Sequence, residues 1–353
     1  MTDTERLVHS LRSQGRFCAA SGSLMYGELC ELVARDVDAG GIFATILRDH
    51  EGDPARQAVP LRLLGGLHRL VLDGRASALR CWYPSTGGTW QANTAWPQIV
   101  RTASDHTESL RAALDQPPQT NEVGRSAVLI GGLLRINRDL RMPIRLFEIG
   151  SSAGLNLRAD RYHYRYSGGS WGPADSPVTI DDAWRGQLPP QDPMWIIERR
   201  GYDIAPIDVT GKDGDSAGEL TLLSYVWPDQ SARLDRLRGA VRVARDVPAQ
   251  LQRHAAPAAV AAVTLAEGSV TVLWHSITWQ YLAASEQAAV RGRVDALAAC
   301  ADARSPFAYL TFEPAREGPG NSLRFLVRAR TWPAGQDQVL GECHPHGVPV
   351  DWL

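Results

Sequence analysis

Glu148, Gly150, Ser152 and Gly154 fall within one stretch, Glu148-Ile149-Gly150-Ser151-Ser152-Ala153-Gly154-Leu155-Asn156, at the end of an apolar run that starts at Ile144. Such a run reads as a buried strand. Its break into a glycine turn and then a helix makes a ligand site at the carboxyl edge of a parallel sheet. Glycine at 150 and 154 lets the backbone approach a ligand, and free N–H groups at the helix start attract a carboxylate. The same residues fit G-x-S-x-G, which would make Ser152 a nucleophile. A strand-to-helix turn that holds nothing is the plain alternative. Further along, Val270 to Tyr281 is apolar and β-branched, then turns polar at His275, an imidazole able to act as a base near neutral pH. Asp229, beside Trp227-Pro228 and Gln230, reads as a helix cap or a pocket acid. His344 and His346 share a strand face, but no third ligand accompanies them, so no metal is expected.

The elements that must position these groups are legible in outline. Residues 1–118 read as a helical N-terminal region. Leu29, Leu32 and Val33 form one helical stripe, and Leu63, Leu64, Leu67, Leu70 and Val71 another, with Pro60 in its first turn. A further helix is expected from Val100 or Ser104 to Pro117-Pro118. Thr120 is a plausible N-cap for the helix before the glycine strand, and Val123, Ala127, Ile130 and Leu134 should pack on the sheet. Arg125 lies off that stripe. Met194 to Glu198 begins a second strand, and Gln250 to Ala256 a third. Between the glycine turn and the second strand, Tyr162, Tyr164 and Tyr166 alternate with His163 and Arg165 before Gly168-Gly169, which predicts an inserted hairpin over about 160–193. It would be a lid over the binding edge or a loop packed on the sheet. After Val270, a helix over Ala283 to Ala299 and a strand over Phe307 to Phe312 follow. Two more strands, Ser322 to Thr331 and Gln338 to His344, join around Pro333 to Gly335.

Two known patterns compete for the glycine turn. The dinucleotide fingerprint wants glycine where Ser152 stands. The spacing of Glu148, Gly150 and Gly154 instead resembles the signature that opens class I S-adenosylmethionine-dependent methyltransferases, and Asn156 follows as it often does there. Arg200-Gly201-Tyr202-Asp203-Ile204-Ala205-Pro206 is similar to that family's second motif. The resemblance implies an α/β fold over 119–353, with a Rossmann-like methyltransferase sheet that is mostly parallel and has an antiparallel terminal hairpin. It implies S-adenosylmethionine as cofactor and a small molecule as methyl acceptor. Gly150, Ser152 and Gly154 would cradle the methionine end, Glu148 would order the turn, Arg125 would pair with the carboxylate, and Asp203 would hold the ribose hydroxyls. His275 would be the base, with Asn121, Asp229, Ser276, Trp279 and Gln280 on the acceptor side. Two departures are plain. Nearly fifty residues separate Gly154 from Asp203, and His254-Ala255 stands where an acid for adenine is usual.

The whole chain also resembles a bacterial family known only as a domain of unknown function. Thr120-Asn121-Glu122-Val123-Gly124-Arg125, the glycine turn, Trp227-Pro228-Asp229-Gln230, Trp274-His275-Ser276 with Trp279-Gln280-Tyr281, and His344-Pro345-His346-Gly347 carry that likeness. Two rival functions stay open: a non-enzymatic ligand-binding protein on a degenerate methyltransferase fold, and a serine hydrolase using Ser152 with His275 or His344.

Composition bounds these readings. A chain of 353 residues, 44% hydrophobic and 22% charged, has the make-up of a globular protein. A net charge of −2 gives no electrostatic reason to expect nucleic acid. Five scattered cysteines without a Cys-x-x-Cys pair argue against zinc knuckles and disulfide scaffolds. No apolar signal or membrane-length run is seen, so a cytoplasmic protein free of membrane is expected.

Overall fold

Helices claim the first unit because its apolar residues recur at helical spacing. The computed structural model describes residues 2–50, 52, 58–211, 217–317 and 321–353. The chain divides into two units, Met1–Thr120 with Asp215–Asp235, and Asn121–Gly214 with Arg236–Leu353. In the first, α1 (Asp3–Ala20), α2 (Leu24–Asp38), α3 (Ile42–Ile46), α4 (Val59–Leu72), α5 (Ala92–Asp105) and α6 (Thr107–Leu114) enclose one core. The expected stripe on α4 is buried in full. The fifth helix starts earlier than Val100: it begins at Ala92 and carries Pro97 inside. Proline removes one helical hydrogen bond, but Ala95, Ile99, Thr102 and Ala103 bury a continuous face that outweighs the loss.

The segment Asp215–Asp235 belongs with these helices, although the sequence placed it in the α/β part. Its helix, α8 (Ala217–Tyr225), packs on α4 at Gly65, where a Cβ would stand 2.7 Å from the Tyr225 ring. Trp227 is buried in the same core, edge-on to Phe17.

The second unit is built on a nine-stranded sheet. α7 (Ser126–Leu140) feeds β1 (Ile144–Ile149), and the stripe Val123, Ala127, Ile130 and Leu134 is buried as expected. The cap differs from expectation. Glu122 rather than Thr120 accepts the first N–H, from Gly124, in a 3-10 turn before α7. The hairpin forms from β2 (His163–Tyr166) and β3 (Gly169–Trp171), and β4 (Thr179–Ile180) pairs parallel to β2. Tyr162 and Tyr164 face inward and donate to the carbonyls of Leu155 and Ala159. The insertion's end, β5 (Trp184–Gly186), becomes the outermost strand of the large sheet.

β6 (Ile196–Asp203), α9 (Ser231–Asp246), β7 (Gln250–Arg253), α10 (Ala256–Ala261), β8 (Val270–Ser276), α11 (Ala284–Cys300), β9 (Phe307–Arg316), β10 (Leu323–Trp332), β11 (Gln336–Cys343) and β12 (Val350–Trp352) complete the chain. The sheet order is β5-β12-β11-β10-β9-β8-β1-β6-β7. From β7 to β9 every pairing is parallel, and β10 to β12 are antiparallel to their predecessors. The sheet is therefore mostly parallel, in a mixed α/β unit. Its strand order reverses at β1, between β6 and β8, and there a crevice opens at the carboxyl edge of such sheets. Phe147, Ile149 and Leu273 pack toward α10 and α11 in one buried cluster. Period-two alternation sends Glu148 and Trp274 to the other face.

Candidate functional site

The glycine turn closes β1 directly beside β6. Glu148 pairs with Gly201 and Ile149 with Tyr202, and the Gly150 and Ser151 N–H groups both donate to the Tyr202 carbonyl. Gly150, Ser152 and Gly154 all have φ between 51° and 69°. Only glycine takes that region without strain, so Ser152 is held there by its surroundings. Its N–H donates to Asp203 Oδ2 at 2.9 Å, and Asp203 Oδ1 accepts the Ala205 N–H at the same distance. Asp203 thus fastens the turn to the end of β6, and each oxygen keeps a second lone pair.

The turn does not lead into an α-helix. Leu155–Arg161 is a 3-10 turn kinked at Arg158. Asn121 Oδ1 takes the Leu155 N–H at 2.8 Å, so Asn121 spends its oxygen on shaping the turn. The buried Arg158 guanidinium donates to the Gly154 and Val247 carbonyls. A kinked 3-10 turn thus stands where the sequence predicts an α-helix N-terminus, with its first N–H taken by Asn121. Asn156 accepts from the Ser126 hydroxyl at 2.8 Å, and Arg125 Nε donates to the Pro345 carbonyl at 3.1 Å. The clearance at both glycines is used by the chain itself. A Cβ at 150 would collide with the Thr278 side chain, and one at 154 would stand 2.7 Å from Leu251.

Three buried polar atoms of this strand end and turn have no hydrogen-bond partner among the described residues: Glu148 Oε2, Ser151 Oγ and Ser152 Oγ. Buried polar atoms are nearly always hydrogen-bonded, so such a group calls for water or a ligand. Glu148 Oε1 accepts from Trp274 Nε1 at 3.0 Å. Burial pushes the Glu148 carboxyl up to about 8, with Asp203 adding to the rise and Trp274, Arg125 and Arg158 opposing it.

His275 stands on the other face of the sheet from Glu148. Its Nδ1 lies 2.6 Å from Glu313 Oε1 and its Nε2 2.6 Å from the Tyr309 hydroxyl. A carboxylate orients the ring with the proton on Nδ1, so Tyr309 donates to Nε2. Burial and Glu313 hold the Tyr309 phenol above its usual range. His275 pairs with Thr311 across β8 and β9. Tyr309 therefore lies toward the amino end of β9 and Glu313 toward its carboxyl end. Glu313 Oε1 also accepts the Thr278 and Trp279 N–H groups, at 2.9 and 3.2 Å. Trp279 stacks on His275 with centroids 5.5 Å apart. Ser276 alternates to the opposite face, and Gln280 is exposed. The four acceptor-side residues of this strand end therefore do not line one mouth. The pair missed in sequence is Glu313 and Tyr309, which share a face with Thr311 by strand alternation.

Among the described residues neither His275 nor His344 is hydrogen-bonded to the Ser152 hydroxyl, and both His275 nitrogens are engaged elsewhere. His344 and His346 sit in the turn after β11, ring centroids 4.9 Å apart, and no group of three metal-ligating side chains occurs among the described residues.

Asp229 lies in the helical unit and clamps a corner. Its Oδ1 accepts from the Ser23 hydroxyl at 2.6 Å and its Oδ2 from the Met25 N–H at 3.0 Å. α2 has no acid in its first turn, so Asp229 supplies the negative charge its N-terminus favours. This corrects its reading as a pocket acid. Asp229→Ala is expected to destabilise the helical unit by about 2–4 kcal/mol, as hydrogen bonds to a charged group are worth about 1.5–3 kcal/mol each. Urea unfolding followed by tryptophan fluorescence measures it.

Residues 8–352 match a family described as an uncharacterized protein conserved in bacteria (DUF2332). The chain belongs to this family. The match covers both units. No curated protein and no solved structure is found to match the chain. No helix of the described residues is long and apolar enough to cross a membrane.

Proposed function

We propose that this chain binds S-adenosylmethionine at the carboxyl edge of β1 and β6 and transfers its methyl group to a small molecule. The observation that carries the reading is the set of unpartnered atoms at the glycine turn, Glu148 Oε2, Ser151 Oγ and Ser152 Oγ, at the point where strand order reverses. These atoms fit the amino-acid end of the cofactor: a carboxyl that an arriving ammonium would draw into its ionised form, and two hydroxyls for its carboxylate. Asp203, with one free lone pair on each oxygen, suits a pair of ribose hydroxyls. When bound, the cofactor supplies an electrophilic methyl group on a sulfonium.

The chain's own residues position and exclude water. Asn121, Asn156 and Arg158 hold the turn rigid, and Arg125 lies near enough to favour the ionised form of Glu148. Rigid placement is what an in-line transfer mainly needs. On the acceptor side, His275 acts through Glu313, whose Oε2 is buried and unpartnered at the carboxyl end of β9. There it can take a proton from an acceptor hydroxyl or amine. Trp279 and Ser276 flank that strand end.

Isothermal titration with S-adenosylmethionine is the test. Saturable binding is expected, with Asp203→Ala weakening it at least about tenfold, the equivalent of one lost charge-assisted hydrogen bond. Absence of heat from folded wild-type protein would end the proposal.

A further inference from the structure

The helical unit contains a serine–histidine pair of its own. His68, on α4, is fully buried with its ring stacked on Tyr83, centroids 5.7 Å apart. Its Nδ1 lies 3.2 Å from the Ser224 carbonyl oxygen. A carbonyl only accepts, so Nδ1 carries the proton and Nε2 keeps its lone pair. That lone pair lies 2.8 Å from Ser85 Oγ, which therefore donates to it. Ser85 is half-buried in the 3-10 turn Pro84–Thr86, ahead of Gly87 at φ 84°.

The third partner is positioned by a specific packing choice. Gly65 and His68 stand three apart on α4 and so share a face. The missing side chain at Gly65 admits the Tyr225 ring, which brings α8 close and sets the Ser224 carbonyl against His68. A buried histidine needs only some acceptor for Nδ1. Here Nδ1 has one that fixes the tautomer, and Nε2 faces the hydroxyl of half-buried Ser85. Nucleophile, base and orienting group in that order is the arrangement of an activated serine.

We propose that Ser85 is a nucleophile activated by His68, in an acyl-transfer site for small esters. Ser85 Oγ attacks the ester carbonyl carbon and forms a new C–O bond, and its proton passes to His68 Nε2. The bond to the leaving oxygen breaks and that oxygen takes the proton from Nε2. Water then attacks the acyl-serine, gives a proton to Nε2, and the carboxylic acid departs as Ser85 recovers its own.

The test is a fluorophosphonate probe on the full-length protein, read by intact mass and peptide mapping. Its phosphorus bonds to Oγ, fluoride leaves, and the Ser85 proton goes to His68. One adduct is expected, on the Ser85 peptide, absent in Ser85→Ala and retained in Ser152→Ala. Labelling of the folded chain should exceed that of the urea-unfolded chain by at least about 10²-fold, the usual worth of a positioned general base. An unlabelled folded protein overturns the proposal. So does an adduct that survives Ser85→Ala, or equal rates in folded and unfolded chains.

Discussion

Glu148→Gln is expected to stabilise this protein at pH 8 relative to wild type, and to lose that advantage by pH 5. The Glu148 carboxyl titrates near 8 when folded, because burial disfavours its charge, and near 4.3 when unfolded. Between those values the native state holds a proton that the unfolded state has released. Stability therefore falls as pH rises. The contribution is whole below about 4.3 and has gone above about 8, changing by at most about 1.4 kcal/mol per pH unit. Glutamine is neutral throughout and its oxygen still accepts from Trp274. Its amide nitrogen replaces the unpartnered Oε2, at a cost of roughly 1–3 kcal/mol that does not vary with pH. The difference between variant and wild type should thus move by roughly 3–4 kcal/mol in favour of glutamine from pH 5 to pH 8. Urea titrations of both proteins across that range measure it. Parallel profiles would mean that Glu148 is ionised in the folded chain and has a counter-charge.

The parts of this fold that could be read in advance are those whose signal is local. Ile144 to Ile149 followed by Gly150 gives β1 and its turn, and Val270 to Ser276 gives β8, because a buried parallel strand is a short apolar run. Gln250 to Arg253 is an edge strand and mostly exposed, so its signal is faint. What escaped the sequence depends on pairing at long range. The return of Asp215–Asp235 to the helical unit rests on Gly65 admitting Tyr225, which no periodicity encodes. β5 pairs with β12 across most of the second unit.

The candidate site divides the same way. Glu148, Gly150, Ser152, Gly154 and Asp203 meet because one strand–turn motif and the next strand's end carry them. His275 was legible as a polar residue at a strand end, but which face it takes depends on the phase of β8, and its partner on the register with β9. Reading the strand from Phe307 to end at Phe312 hid Glu313, although Phe307, Tyr309, Thr311 and Glu313 alternate onto one face. Asn121 and Asn156 have the chemistry of ligand-binding residues, and the chain uses it internally to shape the turn.

Removing Glu313 should have the largest structural effect of any single change at this edge. Its Oε1 gathers the His275 Nδ1–H and the Thr278 and Trp279 N–H groups. Between them Ile277 sits at φ 50°, where a β-branched residue is strained by about 1–3 kcal/mol. That strain persists because Ile277 N–H is fixed to the Phe312 carbonyl while the next two amides are fixed to Glu313. The strained turn in turn sets Thr278 against Gly150. Glu313→Ala leaves three donors without an acceptor and releases the strain. The net cost is expected at roughly 3–5 kcal/mol, less than three full charge-assisted bonds because the turn can relax toward water. Glu313→Gln keeps an oxygen for part of the set and should cost roughly 1–2 kcal/mol. Urea unfolding gives the magnitudes, and amide hydrogen exchange locates them: Thr278 and Trp279 should lose protection in the alanine variant while the β1 amides keep theirs. An alanine variant within 1 kcal/mol of wild type, its two amides still protected, would show that Phe312 and the packing of Trp279 hold this turn without the carboxylate.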